Sequence, residues 1–521
     1  MLIVWMPVVN GFLTDEAARK MKAVSDEVIF RPNAGFDVGG YREGLFYLGF
    51  KDLARYDELV LMNYTFFGPL YPFSDMFREM NQRDLDFWGI TENHGQSVDP
   101  YGKIIYGCLP EHLNSHFLAL RRDFFKGFAF RDFMTNMKNP DSYVDSIADY
   151  EAVFTKYFAD LGFRWEAYVD SSDYAPYSNA PFAYEAAELI EKKRCPILKR
   201  RNFFSDYTVD LQNTAGESQL RAYEALLANT DYDPALMWEN VLRLQDLGQI
   251  RQTMHVSFYP DSEWGNHAFA PGEAAVFVCG PREVFSAVCG VHVRNFPPEL
   301  PVRFLTDGTY VERLCRAAEE AGDAEIVAFL NPFDLPAPAG DVMKSSESSL
   351  RYGDLTALVQ TPALIGNILD IFAENEHIGL LVPPLPNYGA WFETIGDGWA
   401  GRYEDFMALK KTLGMTFPVL KGPDQPVYPF GGSFWCRTEV LRKAAEALRR
   451  AGADDMLARI ALPYLAQQAL FMTGTVCGSG YAAVLATNYD WQMRTNNRVV
   501  FDRFGPDFYY AELDKISGKA P

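Results

Sequence analysis

Short apolar runs alternate with amphipathic stretches along the first half of the chain. The runs DELVLMN (57–63), DLDFWGIT (84–91) and HFLALR (116–121) are bounded by turn residues, which predicts β-strands. Between them, SDMFREM begins at Ser74, a favourable helix N-cap, and a helical pattern that starts after Val144 ends at Gly162. Strands that alternate with helices in this way predict an α/β domain with a mostly parallel sheet.

The second half repeats this alternation after a helical stretch. Residues 183–246 contain three consecutive helical patterns, and a strand-like segment, QTMHVSFYP, follows from Gln252. We therefore predict two α/β domains, 1–250, which closes with helices, and 251–521. The segments LALRRDFF (118–125) and FWCRTEVL (434–441) share the same order of apolar, arginine and acidic positions. This echo fits two copies of one architecture, and chance similarity between strand-to-helix junctions explains it equally well.

Charge and cysteine content limit the classes of partner and the compartment. A formal net charge of -21 argues against nucleic acid or an anionic membrane as the main partner. The seven cysteines are scattered without a CxxC spacing, which is typical of reduced thiols in a cytosolic protein. The apolar start, MLIVWMPVVNGFLTDE, lacks the basic region and cleavage site of a signal peptide, and no run is long enough to span a bilayer. We expect this start to form a buried strand in a cytoplasmic protein.

A glycine-rich turn, RPNAGFDVGGYREG, lies between an extended segment and a helix at residues 31–44. Its glycines allow close approach of a ligand to the backbone, but their order matches neither GxGxxG nor GxxxxGK[ST]. An aspartate among glycines suits a hydroxyl-rich or metal-bound ligand, and a structural Asx turn is the alternative. The residues concerned are Gly35, Asp37, Gly39 and Gly40.

The helix after Val144 carries a candidate general base. Its apolar stripe consists of Ile147, Tyr150, Phe154, Phe158 and Leu161, and Glu151 lies at the edge of that stripe. A carboxylate beside apolar side chains suits general base catalysis, whereas a solvated glutamate on the flank of the helix is the structural alternative. The basic segment LKRR (198–201) could likewise meet a phosphate or be a solvated turn.

Together these segments resemble the rhamnan synthesis protein F family, bacterial glycosyltransferases that build rhamnose-rich cell-wall polysaccharides. The resemblance covers most of residues 10–245 and continues more loosely through HIGLLVPPLPNYG and YPFGGSFWCRTEVL in the second half. The family is similar to the wider GT-A glycosyltransferases, so the resemblance implies two GT-A-like domains in tandem with a helical connection. The matching segments of the first half are RPNAGFDVGGYREGL, YDELVLMNYTFFGP, DLDFWGIT, EHLNSHFLALRRDFF, YEAVFTKYFADLGFRW and CPILKRRNFF.

The resemblance implies inverting transfer from a nucleotide-sugar donor, above all dTDP-L-rhamnose, to a lipid-linked glycan of the cell wall or capsule. It implies work at the inner face of the membrane, with Glu151 as the base and Asn63 and Thr65 near a Mg²⁺ or Mn²⁺ site. The acceptor or sugar-binding residues implied are Tyr64, Trp88 and His116. The donor-binding residues implied are Arg31, Asn33, Gly35, Asp37, Gly39, Gly40, Lys199 and Arg200.

Three departures from the family pattern leave alternatives open. Tyr64 stands where many relatives carry an aspartate, so either Asn63, Thr65 or Asp37 holds the ion, or basic groups such as Lys199 replace it. In the second half, Ala458 stands where an acidic residue is expected. The chain begins almost at MPVVNGFL, so we expect the strand and helix that usually precede it to be missing. A non-catalytic glycan-binding or scaffolding partner in polysaccharide assembly is the alternative function.

Overall fold

The structure is a computed structural model that describes residues 4–11, 13–205, 207–336, 345–391, 398–421, 426–505, 507–508 and 511. It divides into two compact units. The first comprises Met1–Asn202 and Asp210–Tyr232, and the second comprises Phe203–Val209 and Asp233–Pro521. The division after Tyr232 assigns the helices between 233 and 250 to the second unit, whereas the sequence pattern placed them at the end of the first.

The first unit alternates short strands with helices. Its strands are β1 (Val8–Asn10), β2 (Ile29–Arg31), β3 (Glu58–Met62), β4 (Phe66–Phe67), β5 (Phe87–Gly89), β6 (Glu92–Asn93), β7 (His112–Leu113), β8 (Phe117–Arg121), β9 (Trp165–Ala167) and β10 (Leu198–Lys199). Its α-helices are α1 (Asp15–Val24), α2 (Phe36–Leu48), α3 (Phe50–Leu53), α4 (Phe73–Met80), α5 (Arg122–Lys126), α6 (Phe128–Asn136), α7 (Tyr143–Ser146), α8 (Ala152–Asp160), α9 (Pro181–Tyr184) and α10 (Ala186–Lys193). Helices α11 (Tyr207–Asn213) and α12 (Ser218–Asn229) follow.

The main sheet of the first unit has the strand order β3-β8-β5-β9. Strand β8 is antiparallel to both β3 and β5, and β5 is parallel to β9, so three of the four strands run in one direction. The three strands predicted from DELVLMN, DLDFWGIT and HFLALR are confirmed as β3, β5 and β8. The expected buried strand at the start is wrong within the described residues, because only Val8–Asn10 is extended and its side chains are partly or fully exposed.

Aromatic rings dominate the core beneath this sheet. Phe124 and Phe158 are almost fully buried, with ring centroids 4.8 Å apart in an edge-to-face arrangement. Burying such a side chain away from water contributes ~1.5–3 kcal/mol to the stability of the folded state. The helix predicted after Val144 is confirmed as α7 and α8, joined by a π-helical segment at Ile147–Glu151. Gly162 follows it with φ 90°, as a residue beyond a helix end often does.

The second unit is larger and begins with helices. Its helices are α13 (Pro234–Leu244), α14 (Leu247–Met254), α15 (Arg282–Val288), α16 (Gly290–Val293), α17 (Tyr310–Glu320), α18 (Ser345–Val359), α19 (Pro362–Glu374), α20 (Tyr403–Thr412), α21 (Thr438–Ala451), α22 (Asp455–Gln468) and α23 (Ser479–Phe504). Its strands are β11 (Ser257–Phe258), β12 (Ala274–Cys279), β13 (Val302–Leu305), β14 (Ile326–Leu330), β15 (Ile378–Val382), β16 (Phe434–Arg437) and β17 (Met472–Val476).

These seven strands form one sheet in the order β11-β17-β15-β16-β14-β12-β13, in which only β16 runs against its neighbours. Strands β14, β15, β16 and β17 thus repeat the arrangement of β3, β5, β8 and β9. In both units the third strand of the four inserts, reversed, between the first and the second. The echoing segments LALRRDFF and FWCRTEVL both form this reversed strand and the start of the helix after it.

Among the described residues, no single helix is long and apolar enough to cross a membrane. Helices α18 and α19 meet that criterion only when taken together, and they are bent by 65°. All seven cysteines are free in the structure, and five of them are buried.

Candidate functional site

Polar side chains of the first unit meet where β3 ends and the reversed strand β8 begins. The backbone N–H of Asn63, just after β3, donates to the carbonyl oxygen of His116, just before β8, at 3.1 Å. Ligands of open α/β sheets bind at this edge, outside the carboxyl ends of the parallel strands. Helix α2 and the π segment bring Asp37 and Glu151 to the same place.

Glu151 is the last residue of the π segment, and its carboxylate accepts hydrogen bonds from Ser115. The backbone N–H of Ser115 donates to Oε2 at 3.2 Å, and the Ser115 hydroxyl donates to the same oxygen. Tyr41 in turn donates its hydroxyl to the Ser115 carbonyl at 3.0 Å, which fixes this loop against α2. A π segment inside an α-helix is rare and frequently lies at a functional site.

On its other side, Glu151 borders a small, largely apolar cavity of about 30 Å³, whose lining includes Tyr150 and Phe154. That volume holds a water molecule or two and is far too small for a sugar ring. The predicted place of Glu151 at the edge of an apolar stripe is therefore confirmed. The last residue of the predicted stripe, Leu161, is instead 54% exposed, because the helix has already ended at Asp160.

Asp37 lies close to Glu151 at the start of α2. The side-chain amide of Asn63 donates to Asp37 Oδ2 at 2.6 Å. Burial raises the pKa of Asp37, the bond from Asn63 opposes this rise, and the negative charge of Glu151 adds to it. The same two carboxylates add to the effect of burial on Tyr41, whose pKa is raised well above its usual value.

The basic segment LKRR runs beside this pair of carboxylates. Strand β10 pairs with β4, and the backbone N–H of Arg200 donates to the Thr65 carbonyl at 2.9 Å. Burial lowers the pKa of Lys199, while the charge of Glu151 opposes that shift. The Arg200 guanidinium lies 4.7 Å from the centre of the Tyr64 ring, so a cation and an exposed aromatic face are presented together.

Several residues of this cluster were not identified from the sequence. Arg201 belongs to LKRR but has no role among the predicted donor-binding residues; its guanidinium lies 5.4 Å from the centre of the Tyr143 ring. Burial raises the pKa of Tyr101 and of Tyr143, and the charge of Glu151 contributes to both shifts. Ser115, Tyr41 and the two tyrosines lie far apart in the chain without a recognisable spacing, so only the fold reveals that they converge.

The glycines of the glycine-rich turn leave room for close packing within the turn itself. Arg31 is buried beneath the turn, donates to Glu43 and Asn10 at 2.7 Å each, and also donates to the Ala34 carbonyl. A Cβ on Gly39 would come within 2.6 Å of that carbonyl oxygen, and Gly40 also faces the guanidinium.

Gly35 has φ 76°, a conformation that favours glycine, and a Cβ there would lie 2.8 Å from Asn139 Oδ1. Asn33, in the same turn, is exposed. The predicted donor contact of Arg31 is corrected, because its side chain is only 2% exposed and supports the turn from inside. Donor binding by the rest of the turn stays a prediction.

Two of the predicted sugar-binding residues are also corrected. Trp88 has no exposed surface, and its indole N–H donates to Glu58 Oε1 at 3.0 Å in the core. His116 is buried between the rings of Phe66 and Phe182, and its pKa is lowered to about 3 by burial. Tyr64 alone of the three presents a ring to solvent, with 69% of its surface exposed.

The arrangement does not fit the expected divalent cation. Mg²⁺ and Mn²⁺ prefer oxygen ligands. Asn63 Oδ1 instead accepts from Thr65 N at 3.0 Å and Thr65 Oγ1 at 2.6 Å, while its amide N–H faces Asp37. Among the described residues, no three His, Cys, Asp or Glu side chains cluster in a way that could hold a metal ion.

Comparison with known proteins now places the chain in a family. A comparison with curated proteins finds no match. A protein-family model described as Rhamnan synthesis protein F matches residues 5–259 and 342–450, which is most of the chain and includes the whole cluster around Glu151. The chain therefore belongs to the rhamnan synthesis protein F family.

Proposed function

We propose that this protein is an inverting glycosyltransferase of rhamnan synthesis that transfers L-rhamnose from dTDP-L-rhamnose to a growing cell-wall or capsular glycan. The observation that carries the proposal is the convergence of Glu151, Asp37 and Lys199 at one sheet edge of a family member. Carboxylates beside fixed cations suit a reaction that takes a proton from a hydroxyl and releases an anionic leaving group.

In this proposal, Glu151 takes the proton from an acceptor hydroxyl while that oxygen attacks the anomeric carbon of the donor. The bond between this carbon and the diphosphate oxygen breaks, its electron pair leaves with the diphosphate, and the configuration inverts. Ser115 orients the Glu151 carboxylate through two hydrogen bonds, so the base needs no rearrangement before it acts. The products are the extended glycan and the nucleoside diphosphate.

The leaving diphosphate needs positive charge. In this proposal the positive charge comes from Lys199, Arg200 and Arg201. All three belong to the segment that lies beside the Asn63–Thr65 turn. The exposed ring of Tyr64 offers a flat face to a sugar or a base, next to Arg200. The acceptor is a lipid-linked glycan, and we place the reaction at the inner face of the cell membrane.

The test is donor binding followed by single-turnover transfer. A donor at 100 times its Kd stabilises the folded state by ~2.7 kcal/mol, so melting temperature should rise with dTDP-rhamnose and less with UDP-glucose or UDP-galactose. Glu151→Gln should keep this shift and lose ~10²- to 10⁴-fold in the rate of transfer to a lipid-linked rhamnose acceptor. The matched control is Asp149→Asn, an exposed carboxylate of the same π segment.

A second candidate is a non-catalytic glycan-binding partner in polysaccharide assembly. Tyr64, at the position where many relatives carry an acid, favours it, because an exposed aromatic ring binds sugar without chemistry. Glycan binding without a melting shift from any donor, and without transfer, would establish this candidate and exclude the transferase. If the melting-temperature shift with donor and the transfer both persist in Glu151→Gln, the protein is a transferase but Glu151 is not its base.

A further inference from the structure

The second unit builds a polar cluster at the sheet edge that corresponds to the Glu151 site. In the first unit, that site is formed by α2, the residue after β3, the residues before β8 and the helix before β9. In the second unit, the corresponding elements are α17, Asn331 after β14, Gly431–Ser433 before β16, and α22 before β17. Both edges lie at the carboxyl ends of parallel strands, next to the reversed strand.

Hydrogen bonds hold this second cluster together. The backbone N–H of Asn331 donates to Ser433 Oγ at 2.9 Å, and its side-chain amide donates to the Gly431 carbonyl at 3.0 Å. Tyr310 donates its hydroxyl to the Gly432 carbonyl at 3.1 Å. A Cβ on Gly432, whose φ is 92°, would come within 2.9 Å of the Tyr310 ring, so glycine is required for this approach.

Polar atoms of the cluster are left without partners inside the described part of the chain. These are Asn331 Oδ1, Asp354 Oδ2, Arg459 Nε and Arg313 Nε. Asn331, Asp354 and Arg459 are each at most 5% exposed. A buried polar group without a hydrogen bond is destabilising, and water, an ion or a polar ligand supplies the missing bond. Several such groups at one place therefore offer a set of hydrogen bonds to a polar ligand.

The chemistry of these groups favours hydroxyls over phosphate. Asp334 Oδ2 lies 3.8 Å from both the Arg313 and the Arg459 guanidinium, which offsets their charge against an anion. Burial raises the pKa of Asp354 to about 8, so this carboxyl is neutral at pH 7 and can donate as well as accept. A sugar hydroxyl also donates and accepts, and can therefore satisfy both kinds of unpaired atom.

The cluster reaches the surface at its rim, where 47% of the Asp334 side chain and 17% of the Arg313 side chain are exposed. On α22, in the place of the helix that carries Glu151, the residues are Ala458 and Arg459. Arginine has no acceptor for a proton. The carboxylate at the start of α22, Asp455, is already bonded to the Tyr310 backbone N–H at 3.2 Å.

We propose that the edge formed by Asn331, Arg313, Asp334 and Arg459 is a second sugar-binding site, which holds a sugar unit of the glycan without transferring to it. Rhamnose as the sugar rests on the proposed function of the first unit; the hydroxyl-rich character of the ligand rests on the second unit alone. Such a site retains the glycan while the first unit extends it.

Saturation-transfer NMR and calorimetry on the full chain test this, with methyl α-L-rhamnoside and a rhamnose disaccharide as probes. Arg313→Gln and Asp334→Asn alter the exposed rim and should each weaken disaccharide binding about tenfold, which corresponds to ~1.4 kcal/mol. Arg316→Gln and Glu319→Gln, on the same helix as Arg313, are the controls and should leave affinity unchanged. Thermal unfolding in the absence of sugar establishes that each variant is folded.

Three results would overturn the proposal: no binding of either sugar, equal binding by wild type and both rim variants, or displacement of bound sugar by inorganic pyrophosphate. Failure of the proposed function is measured separately, through dTDP-rhamnose binding and transfer in wild type and Glu151→Gln. Sugar binding that is lost in the rim variants but kept in Glu151→Gln would support the second site even if no donor bound to the first.

Discussion

At the scale of single residues, Lys199 is a cation that interacts with Glu151, because the Glu151 charge opposes the burial-driven fall in its pKa. A diphosphate beside it would gain a charge-assisted hydrogen bond worth ~1.5–3 kcal/mol. We therefore predict that Lys199→Met weakens dTDP-rhamnose binding at least tenfold in calorimetry. Lys156→Met, which removes an exposed cation paired with Asp160, is the control, and equal losses in both variants would contradict the prediction.

The bonding of Asn63 leads to a prediction about metal dependence. Its carbonyl oxygen is shared by two donors of Thr65, so an ion would have to replace both bonds. Donor affinity should therefore be the same in EDTA and in Mn²⁺, within twofold. A loss of more than tenfold in EDTA, restored by Mn²⁺, would mean that this turn rearranges around an ion when the donor binds.

His116 should make stability depend on pH. Its folded-state pKa of about 3 lies below the ordinary value of 6.5, so between these pH values the unfolded chain binds the extra proton. Stability therefore falls as pH drops below 6.5, by ~2 kcal/mol at pH 5 from this residue.

Urea unfolding at pH 7.5 and pH 5 would measure this dependence in wild type and in His116→Gln. The variant should lose ~2 kcal/mol less than wild type between the two conditions. His377, whose pKa burial lowers to about 4, is present in both chains and cancels in the comparison. Equal losses in the two chains would show that His116 is not held neutral.

At the scale of elements, the turn between β2 and α2 shows sterics outweighing helix propensity. Alanine within a helix is favoured over glycine by ~1 kcal/mol, but a Cβ at Gly39 would lie 2.6 Å from the backbone oxygen of Ala34. Gly39→Ala should therefore destabilise the protein by ~1–2 kcal/mol in chemical unfolding. Gly480→Ala, in a helix where no atom lies within 4 Å of the added Cβ, should be neutral or stabilising by up to ~1 kcal/mol.

The sequence predicted β3, β5 and β8 because each is a short apolar run with turn residues at both ends. It also predicted the position of Glu151, because the stripe from Ile147 to Phe158 follows helical spacing. The π segment was not foreseen, because the apolar spacing was interpreted with the α-helical period alone. Trp88 and Arg31 were misassigned for one reason: a sequence pattern does not tell whether an aromatic ring or a guanidinium points inward.

At the scale of the whole molecule, the two units share a four-strand arrangement but differ at the corresponding helix, with Glu151 in one and Ala458 and Arg459 in the other. The similar segments 118–125 and 434–441 form the reversed strand and the start of the next helix in each unit. Neither the strand order nor the polar cluster around Asn331 could be predicted, because long-range pairing and burial are not encoded in local spacing. The chain has a net charge of -21, which repels anions in general, whereas residues 199–201 carry three adjacent cations. The proposed anionic donor would bind at this local positive charge.

The thiols of both units should be largely unreactive in the folded protein. A thiolate is the reactive form, and burial raises the pKa of Cys195, Cys279 and Cys477 to about 12 each and that of Cys289 to about 11. Burial also raises the pKa of Cys436 and of Cys315. Cys108 and Cys315 are the two thiols that are only half-buried, so a reagent reaches them most easily.

At pH 8, Ellman's reagent should therefore react rapidly with at most two thiols of the native chain and with all seven in guanidinium chloride. Replacing Cys108 and Cys315 by serine should abolish the rapid native reaction. Because the buried cysteines lie in both units, each unit must stay closed for the prediction to hold. Rapid reaction of three or more thiols with an unchanged circular dichroism spectrum would mean that at least one unit opens in solution.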